Sequence, residues 1–186
     1  ESLAKLKNAA RKLFVERGYH ATRPQDVARE AGLGHGTFYL HYDDKRACFL
    51  AFVEDARLEL QEYVDARVAE SDGSLEHTIA ASLNAIYDYS ESHPGVLGAA
   101  MTDEAVIDAE GAQATPLLIR WGYDWAEHVK RSMAAGTASR LYDPEIAGQM
   151  ILGCIHQVGA EGYRAGRKRQ DLVDNLTRFL VRALKP

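Results

Sequence analysis

Cysteine is nearly absent from this chain: Cys48 and Cys154 are the only two among 186 residues, and they lie far apart. That scarcity excludes a disulfide framework and a cysteine-rich metal site, and it implies a reducing, cytoplasmic setting. No apolar run approaches the ~20 residues that span a bilayer, and no secretory leader is visible, so no membrane partner is expected. No stretch alternates at strand period, nothing repeats internally, and there is no low-complexity tract. Several chemical signatures are missing too. There is no His-Glu-x-x-His, no paired Glu-x-x-His set, and no glycine-rich phosphate loop between a strand and a helix. Asp124 and His128 share a helix face and with His156 form the nearest approach to a metal set. A hydrogen-bonded histidine or a surface pair is the simpler account. No catalytic residue, metal or cofactor is expected.

What is present describes an ordinary globular chain of one or two domains, with 46% apolar and 26% charged residues. The net charge of −5 is unevenly spread. Residues 1–46 hold nine Lys/Arg against six Asp/Glu, a balance of +3, and the remainder holds 13 against 21, a balance of −8. A basic head on an acidic body suits a nucleic-acid reader with a separate ligand or partner domain. Chance clustering of solvated charges would give the same modest figure. The sequence opens on Glu1 rather than Met, which implies a natural start upstream with room for a basic arm.

The most informative stretch is Thr22–Lys45, TRPQDVAREAGLGHGTFYLHYDDK. Thr22 and Gln25 have capping-box spacing, and Pro24 sits in the first turn, where a missing N–H costs nothing. Val27, Ala28 and Ala31 form a small apolar stripe, and Gly32 is placed to end the helix in a left-handed conformation. Leu33, Phe38 and Tyr42 then cover the inside of a second short helix, Phe38 and Tyr42 one turn apart. Gly36, Thr37 and Leu40 fall outside, flanked by His35, Tyr39 and His41. Hydroxyls and imidazoles suit phosphates and base edges, an exposed leucine suits a thymine methyl, and Gly36 lets the backbone come close. This is the layout of a helix-turn-helix, and equally of a small helical hairpin inside an all-α core.

The run from Leu6 to Phe52 resembles the N-terminal domain of TetR-type transcriptional regulators. The matching residues are LKNAARKLFVERGYHAT (6–22), DVAREAG (26–32), GTFYLHY (36–42) and Lys45. The resemblance implies a three-helix DNA-binding domain over 1–46 and a larger helical domain over 47–186 that binds an effector and dimerises. It implies a homodimeric repressor, released from a palindromic DNA operator by a small, largely apolar molecule. Carried over residue by residue, the family's DNA contacts fall on Thr22, Gln25, His35, Thr37, Tyr39, Leu40, His41 and Lys45. Arg23 joins them by charge and position. Gln25 suits adenine; Thr37, Tyr39, His41 and Lys45 suit phosphates; His35 and Leu40 suit bases. Gly34-His35-Gly36 departs from the frequent Ser-Lys-Gly, which removes a full charge at that contact.

Beyond the motif the chain reads as further helices, about nine in all. The first runs from about Ser2 to Arg17, with Gly18 as stop, its outer Lys/Arg solvating rather than touching DNA. Asp44 caps a long helix toward Ser71-Asp72-Gly73, with Lys45 and Arg46 in a first turn whose dipole disfavours cations. A phosphate there would relieve them. Ser74 starts the next helix, which stops at His93-Pro94-Gly95; a short helix covers Val96–Met101. Thr102–Ala114 reads as an acidic irregular stretch. Helices over about 115–135, 143–166 and 170–185 follow, the second opened by Asp143-Pro144 and rich in glycine, which implies close approach by another helix. By resemblance the last two pair with a second subunit. Trp121, Trp125 and His128 share one face, with Phe52, Tyr87, Met101 and Cys154 as candidates for the same space. Such a set suits a small-molecule pocket, and equally a plain core. A helical adaptor that binds protein rather than DNA, or an all-α enzyme or metal-binding protein, is the rival reading of the whole.

Overall fold

The computed structural model describes residues 1–70, 73–103, 106 and 115–186. Among these residues nine α-helices run in order: α1 (Ser2–Ala21), α2 (Pro24–Glu30), α3 (His35–Tyr39), α4 (Lys45–Ala69), α5 (Leu75–Ser92), α6 (Val96–Ala100), α7 (Leu117–Ala134), α8 (Pro144–Arg164) and α9 (Arg169–Leu184). The chain is all-α, as its periodicity implies. Of the acidic stretch Thr102–Ala114, all but Thr102, Asp103 and Val106 lies outside the described residues, as do Ser71 and Asp72.

Local chemistry sets most of the helix ends. Gly18 takes φ 76 and ψ 172 inside α1, so the regular helix stops there and a single turn follows. At the end of α2, Gly32 takes φ 68, the Gly32 N–H donates to the Arg29 carbonyl and the Leu33 N–H to the Ala28 carbonyl. That pair of bonds is a Schellman motif, which needs a residue without a Cβ penalty at this point. The Asp44 carboxylate accepts from the Ala47 N–H at 2.7 Å, Ser74 Oγ accepts from the His77 N–H at 3.2 Å, and Asp143 accepts from the Glu145 and Ile146 N–H groups, each at 3.0 Å. One cap differs from the sequence reading. Thr22 does not form a capping box with Gln25. Its hydroxyl is fully buried and donates backward to the Gly18 carbonyl at 2.9 Å, leaving Arg23 as an N-cap without a side-chain bond.

Packing divides the chain into two compact units, Glu1–Glu59 with Ser90–Leu117 and Leu60–Tyr89 with Leu118–Pro186. In the first unit α1 packs on α2 and α6, and α2 on α3. Leu6, Leu13, Phe14, Val27, Phe38, Phe49 and Val53 form its core, each at most 1% exposed. Full burial of each such side chain is worth about 1.5–3 kcal/mol. The Phe14 ring meets the edge of Phe49 at 5.0 Å, with Phe52 5.7 Å away. Lys7 pairs with Asp55 at 2.8 Å and Arg11 with Glu59 at 2.6 Å, so two of the outward cations of α1 tie it to α4.

In the second unit Ile79, Leu83, Trp125, Val129, Ile151, Ile155, Val173, Leu176 and Leu180 share one core. The glycines of α8 divide into two sets. Gly148 and Gly162 are buried, Gly148 against the backbone of Gly122 and Ala126 in α7 and Gly162 against Leu172 in α9. A Cβ at Gly153 or Gly159 would meet nothing within 4 Å. Close helix approach thus compensates for the first set only. At the start of α9, Arg169 Nη2 donates to the Asn84 carbonyl at 2.9 Å and to Asp88 Oδ1 at 2.7 Å. Its guanidinium lies 5.4 Å from the Tyr87 ring centroid. The other carboxylate oxygen of Asp88 accepts from Arg67 of α4. Burial pushes the Asp88 carboxyl up, but the hydrogen bond and charge of Arg169, with those of Arg67, hold it below the usual carboxylate range.

Candidate nucleic-acid interface

α3 is a short helix, and Phe38 anchors it. That ring is fully buried, 5.5 Å from the Tyr42 ring, which is also buried. With these two turned inward, geometry at 100° per residue places Gly36, Thr37 and Leu40 on the outer side with Tyr39 on its flank, and His35, which opens the helix, is exposed as well. Leu40 is 80% exposed and Tyr39 50%. A leucine so exposed gains nothing from the fold, so its apolar surface is available to a base methyl. A Cβ at Gly36 would meet nothing within 4 Å, so the backbone there is open to a close-lying surface. His35 stands edge-on to Tyr39 at 5.2 Å, and His41 Nε2 lies 2.7 Å from Ser2 Oγ. Ser2 carries no sequence signal for this contact, since it lies 39 positions from its partner.

Arg23 and Gln25, at the start of α2, are exposed, and Thr37 is half-buried. Thr22 is the exception among the candidates: its side chain is at 0% exposure and its hydroxyl is spent on backbone carbonyls. Lys45 carries an unexpected internal arrangement. Its ammonium donates to the Tyr19 carbonyl at 3.1 Å and sits 4.1 Å above the Tyr19 ring. A carbonyl and an aromatic face therefore supply what the helix dipole withholds from a cation in the first turn of α4. The side chain is held in place rather than waiting for a ligand to order it.

Two buried titratable groups in this unit, Cys48 and Tyr42, are inert. Burial pushes the Cys48 thiol up to about 12, and Tyr42, buried near it, likewise rises to about 12. Neither supplies a nucleophile or base near neutrality. Among the described residues no group of three or more His, Cys, Asp or Glu side chains is gathered to hold a metal. No helix among them is long and apolar enough to cross a membrane.

Of the seven candidates for an effector site, five lie in the second unit. Tyr87, Trp121 and Cys154 pack, half-buried, against the core cluster that contains Trp125. His128 lies 5.6 Å from the Trp125 ring. Phe52 and Met101 belong to the first unit, and Phe52 is accounted for by its packing on Phe14 and Phe49. His128 Nδ1 accepts from Arg131 at 2.9 Å, which fixes the neutral ring with its proton on Nε2. Burial, then the Arg131 charge, lowers its affinity for a second proton. The sign follows: the unfolded chain binds that proton more readily, so this contribution to stability is full above about pH 6.5 and is lost as pH falls toward the lower folded value. Urea unfolding should show a loss of up to about 1.4 kcal/mol per pH unit below that point, absent in His128→Gln. Parallel pH profiles in the two proteins would contradict the assignment.

A short anchored helix presenting leucine, tyrosine, histidine and bare backbone, on a tight glycine turn from a preceding helix, has the layout of a helix-turn-helix on an all-α body. Residues 6–52 match the family model described as bacterial regulatory proteins, tetR family. Over those residues the chain is similar to that family of regulators. It is 32% identical over 89 residues to the HTH-type transcriptional activator FasR of Mycolicibacterium smegmatis, a match covering 45% of this chain and 37% of that protein. The chain spans only 15% and 37% of the lengths of the curated relatives it matches. Among solved structures, TylP, a TetR regulator from Streptomyces fradiae, aligns with TM-score 0.72 at 20% identity over 100% of this chain and 87% of that one. A SmeT–triclosan complex aligns with TM-score 0.72 at 17% identity over 100% and 92%. At these identities the structures establish a shared fold.

Proposed function

We propose that this chain is a homodimeric, ligand-responsive regulator whose residues 1–46 read DNA and whose residues 47–186 bind an effector and dimerise. The observation that carries the reading is the outer face of α3, where Tyr39 and Leu40 stand exposed on a short helix anchored by the buried Phe38. The proposed contacts are Arg23, Gln25, His35, Thr37, Tyr39, Leu40, His41 and Lys45, without Thr22. Two such heads enter successive major grooves of a near-palindrome, with half-sites roughly 34–36 Å apart. The dimer forms through α8 and α9, supported by the exposed Ile146, Met150 and Phe179. Tyr87, Trp121, Trp125, His128 and Cys154 line the effector site. A small, largely apolar effector is supported by that lining and by the triclosan held in the SmeT complex.

Effector binding displaces α4, a single helix from Lys45 to Ala69, and alters the spacing of the two heads. A coupling of about 1–3 kcal/mol would change DNA affinity roughly 5–150-fold, provided the effector prefers one state. Repression is the output proposed. The name of FasR, an activator, favours the opposite sign, and transcription in vitro from an operator-bearing template separates the two.

The deciding experiment is a gel-shift titration near physiological salt, with duplex from upstream of the gene against a scrambled duplex of equal length. A preference of about 10³-fold or more is expected, and equal, weak binding to both would defeat the operator reading. Tyr39→Ala removes an exposed ring and should weaken operator binding by roughly tenfold, with fold and dimer intact, as expected for a hydrogen bond to a charged phosphate. Lys45→Ala should weaken it too, together with some loss of stability from the Tyr19 contacts. Unchanged affinity in both variants would remove this face from the DNA site.

A further inference from the structure

We propose that Tyr19, at the end of α1, is a positioning residue for DNA binding: its carbonyl and ring hold the Lys45 ammonium in place, with its charge uncancelled, for a phosphate. The proposal rests on the DNA-binding reading above, though not on operator preference.

The local chain builds the seat. Gly18 breaks α1, and the buried Thr22 hydroxyl ties that break to the Gly18 and Leu13 carbonyls. A helix end leaves its last carbonyls without intrahelical partners, and these carry the negative end of the dipole. The Tyr19 carbonyl is one of them. It accepts from the Thr22 N–H at 3.3 Å and from the Lys45 ammonium at 3.1 Å. The Tyr19 ring is buried and fixed in its turn, 5.0 Å from the Phe49 ring and 6.4 Å from that of Phe14. It lies beneath the same ammonium, 4.1 Å from ring centroid to nitrogen.

What the seat lacks is a carboxylate. Lys7, Arg11, Lys12 and Arg29 of the same unit each pair with an Asp or Glu, at 2.8, 2.6, 2.6 and 2.5 Å. Lys45 has no such partner among the described residues, and a carbonyl and a ring face are both neutral. A carboxylate would order the side chain equally well, but it would compete with phosphate for the charge. An ammonium has three N–H donors. The carbonyl takes one and the ring face another, so a donor and the whole charge are left for an outside anion. Lys45 is half-exposed, so such an anion has access to the side chain. Immobilising a long side chain opposes binding, and Tyr19 meets that cost before DNA arrives.

The test is a double-mutant cycle on DNA affinity. Fluorescence anisotropy of the full chain is read at fixed pH and salt, with duplex from upstream of the gene and a scrambled duplex. Tyr19→Leu should weaken binding to both by roughly 2–12-fold for each head, since a phosphate contact carries no sequence information. Tyr19→Phe keeps both ring and carbonyl and should restore the affinity. In a Lys45→Ala background Tyr19→Leu should change affinity no further. Circular dichroism and urea unfolding follow the packing lost with the ring, and Tyr19→Met, which fills more of the same space, carries the test if Tyr19→Leu does not fold. An effect of equal size with and without Lys45 would make Tyr19 a plain core residue and overturn the proposal. Unchanged affinity in Tyr19→Leu would do the same. Coupling seen on both duplexes without preference between them would uphold the proposal while defeating the operator reading. Failure of the wild-type protein to bind either duplex overturns both.

Discussion

Gly148→Ala is expected to lose about 1–3 kcal/mol of stability, read as a lower urea midpoint at unchanged slope. The Cβ of an alanine would fall 2.6 Å from the Ala126 nitrogen and closer still to the Gly122 carbonyl oxygen. Both are backbone atoms of α7, which no rotamer change can move, so α7 and α8 must separate along their contact. Separation opens gaps beside Ile151, Leu152 and Trp125, where dispersion contacts are then forfeited. Helix propensity acts the other way, favouring alanine over glycine by about 0.8–1 kcal/mol. The two effects therefore compete, and the steric one should win because the obstacle is main chain. A midpoint equal to or above the wild-type value would show that the two helices are not seated on each other at this glycine.

Phe179→Asp is expected to abolish the proposed dimer while leaving the protomer folded. Phe179 is 61% exposed on α9, so its replacement removes little from the packing of a single chain. In a two-fold assembly the same residue is lost from both partners. Two phenyl groups, each worth about 1.5–3 kcal/mol when buried, correspond to roughly 10²–10⁴-fold in the dimer dissociation constant. The desolvation of two carboxylates adds to that. On the proposed dimer, sedimentation equilibrium should report dimer for the wild-type protein and monomer for the variant at the same concentration, and operator affinity should collapse because one half-site no longer recruits the other. A Phe179→Asp protein that remains dimeric would move the interface off α9, with Ile146 and Met150 then left unexplained.

Much of the fold was legible in the sequence because its signals are local. Asp44, Ser74 and Asp143 cap helices through bonds to residues two or three positions on, and Gly18 and Gly32 take left-handed conformations at helix ends. Phe38 and Tyr42 turn inward as their spacing requires. The misreading of Thr22 has a clear cause. Its hydroxyl had a choice of acceptors, and the carbonyls of Gly18 and Leu13, brought near by the break in α1, won over the start of α2. The partners of Lys45 and His41 were illegible because Tyr19 and Ser2 lie 26 and 39 positions away. Likewise, the glycines of α8 look alike in sequence, and only the placement of α7 and α9 separates the packed from the open ones.

The carboxylate of Asp88 serves two guanidiniums, Arg67 from α4 and Arg169 from α9. That sharing makes the joint lopsided in how it tolerates change. If either arginine is lost, the other keeps an intact ion pair, and α5 stays fastened to one neighbour. If Asp88 is lost, two cations are left near each other without the anion they shared, and Arg67 loses this bond to α5 while Arg169 keeps its bonds to Asn84. The cost of replacement is thereby unequal: either arginine can drift and leave the acid paired, whereas loss of the acid leaves two like charges facing each other.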